Sequence, residues 1–86
     1  MARYNLEISR SAEKQLASLP VDAQRRLARA MMALADEPHP SGSRKLNGYD
    51  DVFRVRVGVY RVIYSVSDRL LVIIILKIGH RKDVYR

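Results

Sequence analysis

The C-terminal half of the chain contains three runs of β-branched and aromatic residues separated by very short polar breaks. We predict strands at Val52–Val57, Tyr60–Val66 and Leu70–Ile78, because such runs are typical of β-structure. The breaks Gly58-Val59 and Ser67–Arg69 are short enough to be hairpin turns, so the strands form an antiparallel meander. The last run is apolar on both faces, which predicts an interior strand.

The N-terminal half predicts one strand followed by two helices. Residues Arg3–Ser9 alternate between apolar and polar side chains, as a half-buried strand does. Ser9 or Ser11 can cap a short helix that Pro20 ends. A second helix is predicted from about Asp22 to Asp36, where apolar residues recur at three- and four-residue spacing. The two helices are expected to form an antiparallel hairpin.

These elements together predict an α+β fold. A strand and a two-helix hairpin precede a three-stranded antiparallel meander, and the strands form one sheet with the helices on one face. Residues Pro38–Asp51, rich in Pro, Gly, Ser and Asp, are predicted to be a loop. The length of 86 residues suits a single domain spanning 1–86.

The sequence lacks the features of a secreted or membrane protein. No apolar stretch follows Met1, cysteine is absent, and the longest apolar run, Leu70–Leu76, has 7 residues. A membrane helix needs about 20. We therefore expect a soluble cytoplasmic protein with no membrane partner.

Positive charge is concentrated in the second half of the chain. Residues 44–86 carry 10 Lys/Arg against 4 Asp/Glu, whereas residues 1–43 carry 6 against 5, which gives the total of +7. Of the 16 cations 12 are arginine, whose guanidinium group forks onto phosphate oxygens. This distribution favours a nucleic-acid or acidic protein partner over a merely solvated surface.

Strand alternation predicts that several of these arginines converge. Arg54 and Arg56 share one face of their strand, and a tight hairpin brings Arg61 to the same side. Arg81 follows the interior strand within reach of that side. Like charges held close together destabilise a fold. We therefore expect the cluster to bind an external anion, and we favour phosphate binding over a cluster that is merely solvated. We expect further RNA contacts from flanking basic residues: Arg44, Lys45, His80 and Lys82.

Other kinds of chemistry lack their residues. The two histidines, His39 and His80, are far apart and no acidic cluster offers metal ligands, so we expect no metal and no small-molecule cofactor. Tyr85 can stack on a base, place its hydroxyl at a phosphate or pack its segment against the domain. His80 can transfer a proton near neutral pH or lie on the surface without a role. Tyr60 and Tyr64 fall in the inward register and are predicted to be core residues.

Three segments together resemble the RelE branch of the RelE/ParE toxin superfamily: SAEKQLASLP, RKLNGYDDVFRVRVGVYRVIY and the ending GHRKDVYR. The resemblance covers nearly the whole chain, in the same order and spacing. It implies a ribosome-dependent endoribonuclease that cleaves mRNA without metal. The ribose 2′-hydroxyl attacks its own phosphate in that reaction. The implied partners are the ribosome, mRNA and a cognate antitoxin that inhibits the toxin.

The same resemblance implies catalytic roles for Arg56, Arg61, Arg81 and Tyr85. Arg61 and Arg81 match family arginines that stabilise or protonate the phosphate, and Tyr85 matches a tyrosine that orients the nucleotide. Arg54 and Arg56 stand where the family often has lysine. Because a guanidinium is a poor general base, Arg56 is expected to stabilise the transition state. The base is then Tyr85, His80 or a ribosomal group.

Two other functions remain open on the sequence. A ParE-like toxin shares the fold but inhibits DNA gyrase through protein contacts, and that class generally lacks the arginine and tyrosine set. A basic RNA-binding module without catalysis would bind RNA in a salt-dependent way and leave the strand intact.

Overall fold

The computed structural model describes residues 3–80. Seven elements follow one another along the chain, and their bounds are β1 Asn5–Ile8, α1 Arg10–Ala17, α2 Val21–Asp36, β2 Arg44–Lys45, β3 Val52–Val57, β4 Tyr60–Ser67 and β5 Val72–His80. The predicted α+β order is confirmed. Within the described residues neither helix has the length and apolar character that crossing a lipid bilayer requires.

The strands form one five-stranded mixed sheet in the order β1-β5-β4-β3-β2. The predicted meander of β3, β4 and β5 is antiparallel. β1 pairs with β5 in parallel, which is possible because the two helices provide the long connection that parallel neighbours need. β5 therefore lies between β1 and β4, as its apolar character predicts.

Both helices contribute to a core on one face of the sheet. Ala12 of α1 and Leu27 of α2 are fully buried together with Tyr64 of β4. The other buried members of this cluster are Met31, Leu34, Val62, Val66, Ile73, Ile75 and Ile78. Burying one large aliphatic or aromatic side chain contributes roughly 1.5–3 kcal/mol. The prediction that the helices cover one face is confirmed, and the other face of the sheet carries no helix among the described residues.

A β-bulge between β4 and β5 departs from simple alternation. Ile63 pairs with Lys77, but the next residue of β4, Tyr64, pairs with Ile75, so β5 has one extra residue, Leu76. The extra residue allows Ile75 and Ile78 to enter the same core although they are three positions apart. Lys77 faces the opposite side of the sheet.

Helix α1 covers the edge that β5 exposes where β1 ends. The Ser9 amide donates to the Ile75 carbonyl at 2.9 Å, and the Ser9 hydroxyl donates to the Leu76 carbonyl at 3.1 Å. The Ile78 amide donates to Gln15 Oε1 at 2.7 Å. These contacts satisfy backbone groups that a neighbouring strand would otherwise pair. Ser9 also caps α1, because its hydroxyl accepts from the Ala12 amide.

Two sequence predictions are wrong in detail. Arg44–Lys45, placed in a loop, forms the short edge strand β2, since antiparallel pairing with β3 supplies partners for its backbone. Leu70 and Leu71 were predicted in a strand but belong to the β4–β5 turn. Leu70 is 70% exposed, and Leu71 has a left-handed φ of 55°. The Leu71 carbonyl accepts from the Asn5 amide at 2.7 Å, so parallel pairing with β1 holds this turn.

The segment between α2 and β2 is anchored to the sheet by aromatic side chains. The Tyr64 hydroxyl, in the core, donates to the Pro38 carbonyl at 2.8 Å. The ring of His39 meets Phe53 edge-on at 4.7 Å between centroids. Tyr64 is therefore a core residue, as predicted, and its hydroxyl helps to position the chain that leads into β2.

Replacing Tyr64 by Phe is expected to lower the free energy of unfolding by about 0.5–1.5 kcal/mol at pH 7, because the Pro38 carbonyl loses its donor. Tyr49→Phe, at a side chain that is 56% exposed, is the matched control and should have little effect. Urea denaturation of both variants and the wild type measures the difference. Equal stability of Tyr64→Phe and wild type would contradict the anchoring role of the hydroxyl.

The same pair of proteins has an expected pH dependence. Burial raises the pKa of Tyr64 above its ordinary value of 10.0, and a hydrogen bond with Ser43 acts in the opposite direction. The unfolded chain then loses this proton at lower pH than the folded protein, so wild type loses stability as the pH rises through 10 towards the folded-state pKa. The advantage of wild type over Tyr64→Phe should therefore shrink above about pH 10. An advantage that stays constant from pH 8 to pH 11 would be the contrary result.

Candidate nucleic-acid interface

The turn between β3 and β4 sets the register of the arginine-bearing strands. Val57 pairs with Tyr60, so the loop contains only Gly58 and Val59. Gly58 has a left-handed φ of 62°, as the first position of a type II′ turn requires. A Cβ at Gly58 would lie 3.0 Å from a guanidinium nitrogen of Arg26, so the side chain of this α2 residue reaches the turn. This turn places Arg56 directly opposite Arg61.

Five cations share the face of the sheet that lies away from the helices. We call this surface the basic face and define it as Arg44, Arg54, Arg56, Arg61 and Lys77. Directly paired residues of neighbouring strands point to the same side and have Cβ atoms about 4.5–5.5 Å apart. The pairing runs from Arg44 to Arg54, from Arg54 to Ile63, and from Ile63 to Lys77.

The adjacent row of the sheet contains Arg56, Arg61 and Gly79, paired in that order across β3, β4 and β5. Gly79 has no side chain, so β5 itself places no side chain beside Arg61 in this row. Arg56 is exposed and Arg61 is half-buried. The two rows together bring arginines from three different strands to one surface.

Two adjoining cavities follow the basic face. One, of about 300 Å³, is lined by Gly42, Arg44, Arg54, Val55, Arg56 and Arg61. The other, of about 680 Å³, is lined by Ser43, Arg44, Lys45, Leu46, Asn47 and Arg54. Arg44 and Arg54 line both, so we treat the two as one continuous basic groove. None of its described lining residues is acidic.

The chemistry of this groove suits a polyanion. Guanidinium groups present several N–H donors in a planar fork and remain protonated at physiological pH. They can hold phosphate oxygens and stabilise additional negative charge on a phosphate during reaction. They cannot accept a proton, so the groove arginines are suited to anion binding and electrostatic stabilisation and unsuited to general-base catalysis. Within residues 3–80, no three His, Asp or Glu side chains come together as metal ligands would.

The structure brings together some of the predicted site residues and separates others. Arg54, Arg56 and Arg61 lie on one face, as alternation predicts, and Arg44 joins them through β2. Lys45 pairs with Phe53 and lines the second cavity. The remaining predicted residues of the C-terminal segment, Arg81, Lys82 and Tyr85, lie outside the described residues.

His80 does not lie with the arginine cluster. It pairs with Tyr60, one position from the Arg61–Gly79 pair, and so faces the helix side of the sheet. Its ring centroid is 6.3 Å from that of Tyr60, which packs against the core as predicted. The strand register therefore directs His80 away from the groove.

Lys77 is a member of the basic face that sequence reasoning missed. Simple alternation along Leu70–Ile78 places Lys77 on the same side as the core residues Ile73 and Ile75. The bulge at Leu76 reverses this assignment. The available signal was the presence of one lysine in an otherwise apolar interior strand, since a charged side chain is rarely buried without a partner.

Comparison with known proteins finds relatives along nearly the whole chain. The family described as the ParE toxin of the type II toxin–antitoxin system parDE matches residues 6–85. RelE1 of Methanocaldococcus jannaschii is 33% identical over 87 residues, which is 98% of this chain and 97% of that protein. Toxin RelG of Mycobacterium tuberculosis is 29% identical over 84 residues, covering 96% and 97% of the two chains.

Solved structures of similar proteins have the same architecture. The chain matches the archaeal RelE–RelB complex from Pyrococcus horikoshii with a TM-score of 0.83 and 38% identity, over 98% of this chain and 100% of the other. It matches the RelBE2 toxin–antitoxin complex of M. tuberculosis with a TM-score of 0.81 and 25% identity, over 92% and 99%. Two helices on a five-stranded mixed sheet are therefore the common fold.

Like-charge repulsion on the basic face leads to a stability prediction. Arg56→Met should raise the free energy of unfolding by a few tenths of a kcal/mol at low ionic strength, because Arg56 lies directly opposite Arg61. The gain should disappear in about 0.5 M salt, which screens exposed charges. Arg25→Met, on the exposed surface of α2, removes the same charge as a control. Thermal unfolding at both salt concentrations measures the effect, and a loss of stability in Arg56→Met at low salt would contradict it.

Proposed function

The chain belongs to the RelE-type branch of the RelE/ParE toxin family of type II toxin–antitoxin systems, and from this membership we propose that it is a ribosome-dependent mRNA endoribonuclease. The translating ribosome would supply the substrate, a codon of mRNA held in the decoding site. The proposed activity would take place in the cytoplasm, where translating ribosomes are found. The observation that carries the proposal is the convergence of Arg54, Arg56 and Arg61 on one groove without a described acidic lining residue.

The proposed reaction is an internal transesterification of RNA. The 2′-oxygen of a ribose bonds to the neighbouring phosphorus, and the bond from that phosphorus to the 5′-oxygen of the next nucleotide breaks. The proton leaves the 2′-hydroxyl for a base, and another proton is delivered to the 5′-oxygen. The products are a 2′,3′-cyclic phosphate and a free 5′-hydroxyl. No metal is needed for atoms or electrons to balance.

Positive charge is the contribution that the groove is suited to make. The crowded phosphorus carries more negative charge on its oxygens in the transition state than in the ground state, and preorganised donors stabilise this difference. We assign that role to Arg56 and Arg61, which lie opposite each other across two paired strands. Arg54 lies next to them on the same face and would hold the neighbouring part of the RNA backbone.

The proton-transfer groups are assigned on family resemblance. Arg81 would protonate the leaving oxygen and Tyr85 would orient the nucleotide, and both lie outside the described residues. His80 faces Tyr60 on the helix side, so we do not assign the base to it. Tyr85 and a ribosomal group remain as candidates for the base.

A cognate antitoxin is the proposed protein partner. The relatives from P. horikoshii and M. tuberculosis have been solved as complexes with such a partner. In this chain an antitoxin segment with acidic side chains would complement the basic groove and exclude RNA from it. Occupation of the groove would silence the toxin without any change in its fold.

Inhibition of DNA gyrase is the second candidate function, because the matching family description is that of ParE toxins. The two activities are separable in solution. A gyrase supercoiling assay that responds to the purified protein, with mRNA left intact on ribosomes, would favour this candidate.

The first prediction is cleavage of translated mRNA. Primer extension on an mRNA in a purified translation system should reveal cuts inside the decoding-site codon that are absent on naked RNA and unaffected by EDTA. Arg61→Ala and Arg81→Ala should each reduce the single-turnover rate at least about a hundredfold, since each removes charge stabilisation or a proton donor. Arg25→Ala is the control and should cleave normally. Full cleavage activity of both variants, with each shown to be folded, would contradict the site assignment.

A second prediction concerns His80. His80→Gln should cleave at the wild-type rate between pH 6 and 8, because its ring lies against Tyr60 and away from the groove. Single-turnover rates on programmed ribosomes over this pH range make the comparison. A large rate loss confined to low or high pH would instead identify His80 as an acid or base.

A further inference from the structure

We propose that Lys77 is a further RNA-binding residue, which contacts a phosphate at the opposite end of the basic face from Arg44. This inference rests on the proposed function, because it extends the path of the RNA across the same surface. Lys77 would position the RNA through its charge and take no part in proton transfer. Four observations support it: the bulge, the apolar support under the side chain, the spacing of the cations and the charge of their neighbours.

The bulge orients Lys77. Lys77 pairs with Ile63, and Ile63 pairs with Arg54, so all three side chains are on the face away from the helices. Ile78, the next residue, is buried in the core on the other side. If β5 paired regularly through Leu76, Lys77 would face the core and Ile78 would face the opposite side. The bulge thus keeps β5 apolar on its core side and places one cation on the basic face.

Ile63 provides apolar support between the two cations. Its side chain is only 8% exposed although neither of the described helices covers this face, and it clusters with Val52 and Leu46. Arg54 and Lys77 are its direct neighbours on the two adjacent strands, and both are half-buried. Long charged side chains commonly lay their aliphatic stems on such a residue while the charged end reaches water. This support reduces the conformational freedom that each cation would lose on binding RNA.

The spacing indicates contacts with more than one phosphate. Neighbouring strands lie about 4.8 Å apart, so the row from Arg44 through Arg54 and Ile63 to Lys77 spans roughly 14 Å across the sheet. An ion pair requires nitrogen and oxygen within about 4 Å. The cations at the two ends of the row are therefore placed for different phosphates of one strand. The RNA would cross β2, β3, β4 and β5 at a large angle to their direction.

The charged groups around Lys77 are mainly cationic on its own face. Arg61 is its diagonal neighbour on β4 and Arg54 lies one strand further. Glu7 of β1 is an acidic residue on this face, and it pairs with Ile74, the outward-facing residue of β5 that precedes Lys77. A strand of RNA crossing this surface meets Lys77 as the continuation of the arginine rows.

The test compares three variants of the full chain for binding to a short single-stranded 2′-O-methyl RNA, which cannot be cleaved. Fluorescence anisotropy at several salt concentrations gives the affinity and its salt dependence. Each phosphate contact contributes about 0.7 to the slope of log K against log salt for a single strand. Lys77→Met should therefore lower the slope by about 0.7 and weaken binding several-fold at low salt. Lys77→Arg should retain both values.

Lys14→Met is the matched control, because Lys14 is an exposed cation on α1 and its loss changes net charge equally. Its slope should equal that of wild type. If Lys14→Met and Lys77→Met lost RNA affinity and salt slope equally, the effect would come from net charge alone. This result would overturn the assignment of Lys77. Failure of wild type to bind this RNA at low salt, or an unchanged slope in Lys77→Met, would also overturn it.

Cleavage assays separate this inference from the proposed function. On programmed ribosomes Lys77→Met should need more protein for half-maximal cleavage, whereas Lys77→Arg should match wild type. Loss of cleavage in Lys77→Arg with normal RNA binding would contradict a role based on charge. Absence of cleavage by wild type itself would refute the nuclease proposal, while the salt slopes would still decide whether Lys77 contacts RNA.

Discussion

The pairing of β3 with β4 is the constraint on which the candidate site depends. A turn of two residues, with Gly58 in a conformation that other residues rarely adopt, leaves one register between the strands. In a sheet, a shift of one residue moves every side chain to the opposite face. Such a shift would send Arg54 and Arg56 towards the helices and Phe53 into water. The burial of Tyr64 and Val62 on the core side therefore enforces the convergence of arginines on the other side.

The second constraint is that β5 extends beyond the end of β1, so its backbone groups there need other hydrogen-bond partners. A strand interior to the sheet must pair its backbone on both sides, yet β1 is only 4 residues long. Helix α1 completes the pairing through Ser9 and Gln15, at the level where the bulge inserts Leu76. The same helix buries Ala12 in the core. The bulge is thereby accommodated without loss of backbone hydrogen bonds at these positions, and Lys77 lies on the face of the sheet away from the helices.

The core lies on one face of the sheet and the clustered cations lie on the other. This separation explains how a chain of this size can carry several like charges close together. Like charges close together oppose folding, and a domain of this length has a small stability margin. All fully buried large side chains of the described chain lie in the single cluster under the helices. The face opposite α1 and α2 carries the cations, with Ile63 and Val52 as apolar support. A polyanion or an acidic protein segment on that face would relieve the repulsion as well as bind.

The sequence by itself determined the element order, the antiparallel meander, the inward register of Tyr64 and the common face of Arg54, Arg56 and Arg61. These features follow from local periodicity and from a turn too short to allow another pairing. Only the tertiary structure decided the parallel pairing of β1 with β5, the strand at Arg44–Lys45, the placement of His80 beside Tyr60 and the placement of Lys77 on the basic face. Each of these depends on hydrogen bonds or packing between residues distant in the chain. The bulge at Leu76 could not be located from the sequence, because β5 is apolar on both faces. Its position became visible only from the pairing of β5 with β4.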